Sequence, residues 1–345
     1  MDSLFAQPLF WSVVLVALIV IGFWPGRGPF WRRFQNKSRH RRVLIEDGLK
    51  HIYTFHQREI PVTVESLAGA VELSRSNSVA LIAEMERMAL LGYGASGLEL
   101  TPKGAALALH VVRAHRLWET HLADETGHAP TDWHSRAERK EHSLTPAELD
   151  KLSASLGHPI FDPHGDPIPT QQNMEAPPSV ALTEAKPNQT LRITHVEDEP
   201  PVVYAQLVAD GLHLGMTLQV IEKTEHYLRF VAEGEEHRLA PQLAANVSVQ
   251  AIHSPAAAAL TGAKSLNSLR RGEEARVVAV SRACRGPERR RLMDLGILPG
   301  ARIEVAMPSP LQDPVAYRVR DTLIALRKEQ AQMILIERQP VLSEQ

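Results

Sequence analysis

A single cysteine, Cys284, in 345 residues excludes an internal disulfide framework and any multi-cysteine zinc site. Such sparse usage suits a reducing compartment. Nothing around Cys284 fits a nucleophile motif, so it reads as an incidental thiol rather than a reactive one. The chain also lacks a nucleophile–base set, a phosphate loop and a dinucleotide motif, and an enzyme is therefore not expected. Net charge is nearly absent, at −2. Bulk electrostatics thus say nothing about nucleic acid, and only the placing of the charges informs.

What is present begins with a long apolar run. Leu9 to Trp24 is nearly unbroken, and with Phe5 to Pro8 it reaches the roughly 20 residues that span a bilayer. Trp11 and Trp24 stand near its ends, where interface aromatics belong. Arg27, Arg32, Arg33, Lys37, Arg39, Arg41 and Arg42 follow with no acidic residue between them. By the positive-inside rule this predicts a single-pass inner-membrane helix over 5–25, with the bulk of the chain in the cytoplasm. A cleaved signal peptide fits less well, because Asp2 replaces a positive leader and no small-residue cleavage site follows. The basic segment 26–42 is expected to set topology and touch lipid, with DNA phosphates as an added contact.

The rest of the chain divides by periodicity. Val43 to Phe55 is helical, Val64 to Glu72 is a short amphipathic helix, and Arg75 to Leu91 is a third helix that Ser74 can cap. Gly92, Gly94 and Gly97 then form a tight hairpin closed by Leu98 to Leu100. Three helices and a small hairpin make a winged helix-turn-helix over 43–104, a fold that sets its third helix in a DNA major groove. Ser74, Arg75, Ser76 and Asn77 could reach phosphates or base edges; the wing carries no basic residue. Thr101-Pro102 opens a long helix, with proline at its first position. A helical domain over 105–169, a linker over 170–189 and two all-β units over 190–252 and 266–338 complete the plan, with a second linker over 253–265. The two β units look like copies: Leu207 to Gly215 lines up with Leu292 to Gly300, and strands follow in both at Thr217 to Val220 and Arg302 to Val305. Short strands with regular turns suggest small SH3-like barrels. The fold class is thus a mainly α N-terminal part followed by two small β barrels.

The helical domain carries the chemistry. Residues three and four apart share a helix face. His134, Glu138, Glu141 and His142 therefore form one stripe, and His115 with Glu119 repeats the spacing on the preceding helix. On spacing alone, Glu138, Glu141 and His142 would be a solvated face with Arg136, Arg139 and Lys140. Carboxylate and imidazole without thiolate would suit Mn(II) or Fe(II), though imidazole also suits zinc.

Taken together, Glu46 to Tyr53, the helix-turn-helix, Leu100 to Gly104, Val112 to Leu117, Glu138 to His142, and Gly157-His158-Pro159 with Gly165 to Pro169 resemble the diphtheria-toxin-repressor (DtxR/MntR) family of metal-dependent regulators. Arg290 to Gly296, Pro299-Gly300 and Ile324 to Arg327 make 266–338 similar to FeoA, the SH3-like partner of the ferrous iron transporter. The resemblance implies a primary metal site on Asp47, Glu138, Glu141 and His142, and an ancillary site on His115, Glu119 and His134. It implies Fe2+ or Mn2+ as cofactor, double-stranded DNA as ligand and a homodimer. His51, His56, His121, His128, His158 and His164 match no ligand of that family and are assigned surface or packing roles. Three departures stand out. Lys50 replaces a bridging glutamate of the manganese regulators, Glu138 replaces a cysteine of the iron repressors, and the third-domain ligands of the latter fall on Pro200 and Val203. The implied function is a membrane-tethered, metal-dependent transcriptional regulator of metal homeostasis genes. The alternative is a membrane accessory of ferrous iron transport, with the transporter as partner and specific DNA binding lost. Arg285 to Arg291 is either a surface for an acidic partner or nucleic acid, or a solvated turn.

Overall fold

The computed structural model describes residues 29–94, 97–170, 178–252, 260–308 and 313–338. They fall into two compact units that divide between Val112 and Arg113.

In the first unit, helix α1 (Pro29–Gln57) is followed by α2 (Val64–Ala70), α3 (Arg75–Arg87) and a two-stranded hairpin, β1 (Leu91–Gly94) and β2 (Gly97–Leu100). The expected break at residue 42 is absent, so the basic segment and the first helix of the winged fold are one helix. Gly48, the one glycine in its second half, is packed against Leu67 and Met85 rather than bending the chain. Thr63 and Ser66 cap α2 reciprocally, and Ser74 accepts from the Asn77 N–H to cap α3. Ile45, Leu49, Ile52, Leu67, Leu81, Met85 and Leu98 are the core under these caps. Helix α4 (Pro102–Glu125) starts in this unit. Thr101 accepts from the Gly104 N–H and donates to the Ala89 carbonyl. A Cβ on Gly104 would lie 2.0 Å from the Leu90 carbonyl oxygen, so only glycine lets the helix start there.

The predicted membrane helix at 5–25 lies outside the described residues. Among the described residues no helix is long and apolar enough to cross a membrane. The placement of the chain as a single-pass protein of the inner membrane is corrected on that finding. The long helix next to the predicted span, α1, carries Arg41, Arg42, Glu46, Asp47 and Lys50, a charge density that water, not hydrocarbon, accepts.

The second unit holds the rest of α4, then α5 (Pro130–Glu141) and α6 (Pro146–Ser155). Pro130 and Pro146 stand in their first turns, and Thr145 with Glu148 forms a capping box. Ala114, Leu117, Leu149 and Ile168 pack together, as do Leu122, Ala123 and Trp133.

Two six-stranded antiparallel sheets follow. The first contains β3 (Val180–Ala181), β4 (Thr190–Val196), β5 (Thr217–Lys223), β6 (Leu228–Ala232), β7 (Glu235–Leu239) and β8 (Val247–Ala251), with α7 (Pro201–Ala209) between β4 and β5 and the single turn α8 (Pro241–Ala244) before β8. The second contains β9 (Lys264–Ser265), β10 (Glu274–Val280), β11 (Arg302–Pro308), β12 (Val315–Val319), β13 (Thr322–Leu326) and β14 (Ile334–Arg338), with α9 (Gly286–Asp294) and α10 (Lys328–Gln332) at the matching places. The spatial order is β3-β8-β4-β5-β6-β7 in one and β9-β14-β10-β11-β12-β13 in the other, the same order six strands on. Even the register shifts match: Ile193/His195 with Val277/Ala279, and Val220/Glu222 with Val305/Met307. The first sheet opens at Val180, ten residues before the expected start at 190. A strand of two residues is too short to show an alternating pattern. Phe230 is the largest fully buried side chain of the first β domain; Val277, Ile303, Ile324 and Ile336 fill the second. The domains meet at a polar joint in which the Ser281 hydroxyl contacts both Glu233 oxygens at 3.0 Å and His213 Nε2 at 3.2 Å.

Candidate metal centre

The centre is built on α4 and α5. His115 and Glu119 face the same way on α4, and the His115 Nε2–Glu119 Oε1 distance is 3.1 Å. From α5, His134 brings Nδ1 to 3.6 Å from the same Glu119 oxygen. The fourth member comes from far along the chain: Asp198, in the loop after β4, sets Oδ2 2.7 Å from His134 Nδ1. One ligand atom from each of His115, Glu119, His134 and Asp198 lies within 4.8 Å of the others. His164, in the proline-rich loop, closes the cluster, with Nε2 3.6 Å from Glu119 Oε1 and 4.0 Å from Asp198 Oδ2.

Glu119 is 1% exposed. Burial alone would push its carboxyl up. The charge of His115, with the close rings of His134 and His164, outweighs it and holds Glu119 well below the usual carboxylate range. Burial would likewise lower His134, yet Asp198, Glu119, Glu138 and Glu199 raise it strongly. His164 is pushed up to about 9, because Glu119, Asp162 and Asp198 outweigh its burial. Asp198 falls below its ordinary value, since His134 and His164 outweigh its own burial.

The donor set passes the test for a cation. Glu119 Oε1, His134 Nδ1 and both ring nitrogens of His164 are buried without a hydrogen-bond partner. Buried polar atoms are nearly always satisfied, and of these Glu119 Oε1, His134 Nδ1 and His164 Nε2 lie together, which suits a common ligand. Imidazole nitrogen and carboxylate oxygen are the donors that divalent transition metals take.

A second set lies on the other side of the two rings. His115 Nδ1 donates to Glu141 Oε2 at 2.5 Å. Glu141 is 1% exposed, and its other oxygen is 3.6 Å from His142 Nε2. His134 Nε2 is 3.4 Å from Glu138 Oε1 and 3.4 Å from Glu199 Oε1. Asp47 belongs to the first unit, on α1. Its union with Glu138, Glu141 and His142 rests on the family resemblance. Next to the centre, Asp162 Oδ1 accepts the backbone N–H groups of His164, Gly165 and Asp166, each at 2.9 Å, which fixes the loop that delivers His164.

In the first unit, Ser74 serves α3 as its cap, while Arg75, Ser76 and Asn77 are exposed at its start. Arg75 pairs with Glu65 at 2.9 Å. Glu84, the acid that would oppose DNA on this helix, is tied back to Arg41.

Asp198 and His164 are the members that sequence reasoning missed. His164 stood among the histidines given packing roles. The acidic pair Asp198-Glu199 ahead of Pro200-Pro201 is the one local signal. No spacing rule links a loop at 198 to helices at 115 and 134.

Comparison with known proteins follows this geometry. Residues 101–170 match the family described as "Iron dependent repressor, metal binding and dimerisation domain", and residues 264–338 match the FeoA domain. The "Iron-dependent repressor IdeR" of Mycobacterium leprae (strain TN) is 32% identical over 155 residues, which is 45% of this chain. The chain spans 66% of that repressor's length, just under two thirds. A "Probable metal transport system membrane protein" of Chlamydia trachomatis serovar D is 48% identical over 71 residues, 20% of this chain and 16% of that one. Among solved structures, a "Manganese-dependent transcriptional repressor complex with manganese" superposes with a TM-score of 0.55 at 28% identity, covering 60% of this chain and 99% of that chain.

Proposed function

We propose, for a chain that belongs to the diphtheria-toxin-repressor (DtxR/MntR) family and ends in a FeoA domain, the role of a divalent-metal-dependent transcriptional repressor. The observation that carries this reading is the cluster of His115, Glu119, His134 and Asp198, one ligand atom from each lying within 4.8 Å of the others. Fe2+ or Mn2+ fits its hard donors, and the lone cysteine lies apart, in the core of the second β domain.

Our reading assigns two metal positions. His115, Glu119, His134 and Asp198 would hold the first; Glu138, Glu141 and His142 would contribute to the second. A bound cation supplies positive charge that neutralises carboxylates buried at a cost of several kcal/mol each when unpaired. The residues do the rest. Asp198 ties the first β domain to α5, and Glu119 ties α4 to α5. A ligand that binds one arrangement better than another shifts the population toward it. In a dimer, the winged helices would then be set for two half-sites, with Ser74 capping α3 and Arg75, Ser76 and Asn77 meeting the duplex.

The test is a metal titration of the full chain, followed by selection of duplexes from a random pool with and without Mn2+. Metal-dependent enrichment of one operator is expected. No bound metal, or enrichment that ignores metal, would sink the reading. The FeoA domain favours a second reading, an accessory of ferrous iron transport. Retrieval of an iron transporter by a chain carrying Arg75→Ala and Asn77→Ala, with no operator selected, would favour it instead.

A further inference from the structure

We propose that the cavity where the helical domain meets both β domains is a binding site for a short-chain monocarboxylate, held by Arg282 and Tyr204. The inference goes beyond the repressor reading and does not depend on it. The cavity has a volume of about 100 Å3. Its walls come from three places: Trp133 from α5, Tyr204 and Val208 from α7 with Leu212 just after it, and Arg282 with Arg285 from the turn that leads into α9. No single domain forms it.

Two polar groups on these walls are uncommitted. Tyr204 is 8% exposed, meets the His164 ring edge-on at 4.9 Å, and makes no hydrogen bond through its hydroxyl among the described residues. A phenol is a donor at neutral pH, and a buried donor nearly always has an acceptor. The Arg282 guanidinium likewise forms no hydrogen bond or ion pair among the described residues. Its neighbours differ: Arg285 pairs with Asp124, and Arg289 donates to the Val280 and Ser281 carbonyls. The Arg282 stem lies across Gly215 of the first β domain, where a Cβ would come within 2.6 Å of Arg282 Cδ. The acids of the adjoining cluster are engaged, Glu119 by His115 and Asp198 by His134. The cavity thus offers one cation and one neutral donor, with apolar carbon from Trp133, Val208 and Leu212 around them. A carboxylate on a short alkyl chain complements that set, since guanidinium matches carboxylate geometry and apolar walls hold the body of a ligand. Size fixes the length of the chain. An apolar cavity of about 150 Å3 admits benzene, so this one takes roughly four or five non-hydrogen atoms, the size of acetate or propionate.

The experiment uses the full chain with propionate as the probe, read by saturation-transfer NMR on its methyl signal and by melting temperature. Saturable binding and a higher melting temperature are expected, because a ligand that binds only the folded chain stabilises it. Arg282→Gln changes an exposed side chain outside the metal centre, and Tyr204→Phe removes only a hydroxyl. Each should weaken propionate about 10-fold, the usual effect of losing one hydrogen bond to a charged group. Propionamide has the shape without the charge, and inorganic phosphate has charge without the alkyl group. Each should bind about 10-fold or more weakly than propionate. No saturable binding, or an affinity unchanged in both variants, would overturn the proposal. So would phosphate binding as tightly as propionate, which would mark a patch for anions at large. Metal titration of Arg282→Gln should match the parent, which keeps this outcome separate from the repressor reading.

Discussion

The two β domains share strand order, bulge positions and the placing of their helices, yet their corresponding segments make contacts of opposite charge with two successive helices, α5 and α4. After β4, the first domain presents Asp198 and Glu199, which meet His134. After β10, the second presents arginines. Arg285 lies 3.4 Å from Asp124, and Arg290, midway along α9, meets both oxygens of Glu125 at 3.1 and 3.3 Å. Asp124 and Glu125 sit at the C-terminal end of α4, where a helix disfavours negative charge. The arginines offset that cost and complete the docking. The basic run Arg285 to Arg291 therefore finds its acidic partner, in part, within its own chain. The lesson is that a duplicated scaffold is repurposed at one loop. Acid in that loop builds the candidate metal position we propose; base in it builds a clamp.

The strongest way to break the comparison is to give the first loop the chemistry of the second. Asp198→Arg places a cation where the cluster wants a donor. Calorimetry with Mn2+ should show affinity at the first position falling by about 100-fold, the upper end for loss of a group supporting a metal site. Unchanged affinity would mean that Asp198 is a bystander. The next effect is on the clamp. Gly286 has φ +58°, and a Cβ there would lie 2.8 Å from the Thr126 carbonyl. Gly286→Ala should cost about 1–3 kcal/mol, through strain and lost docking, read by urea denaturation, with cleavage by a protease in the second β domain rising in parallel. A smaller effect is expected from Arg290→Ala, whose pair is half exposed. Such pairs are worth about 0.2–1 kcal/mol and fade with salt, so its melting difference from the parent should vanish in 1 M NaCl. The last prediction sharpens the contrast. Cys284 sits in the second loop, but burial, with Glu288 nearby, pushes its thiol up to about 11. Thiolate is the reactive form. Alkylation by iodoacetamide should be slow at neutral pH and rise only as pH approaches that value.

Part of this was legible in the sequence because it is local. The i,i+4 spacing of His115 and Glu119, the stripe from His134 to His142 and the proline-started helices each follow from positions a few residues apart. The duplication was visible too, since Leu207 to Gly215 and Leu292 to Gly300 lie outside any long-range contact argument. Asp198 and His164 were not legible in the same way. Their roles depend on where two loops land in space, and loops carry no periodicity to project. The clamp was hidden for the same reason: Arg285 and Asp124 are 161 residues apart. The inner-membrane reading leaned on a segment that the described residues do not include, and no described helix replaces it.

The joint between the β domains carries a warning for searches by residue type. Ser281, His213 and Glu233 are the three kinds of side chain that a hydrolase uses. Their arrangement defeats that chemistry. A relay needs the acid behind the base, on the ring nitrogen away from the hydroxyl. Here Glu233 contacts the hydroxyl itself and the same Nε2, at 3.3 Å, while His213 Nδ1 is engaged by the Leu214 carbonyl. Ser281 as a whole is also buried, at 3% exposed. A template built on identity and proximity would report a triad at this spot; one that asked which nitrogen faces which oxygen would report a weld.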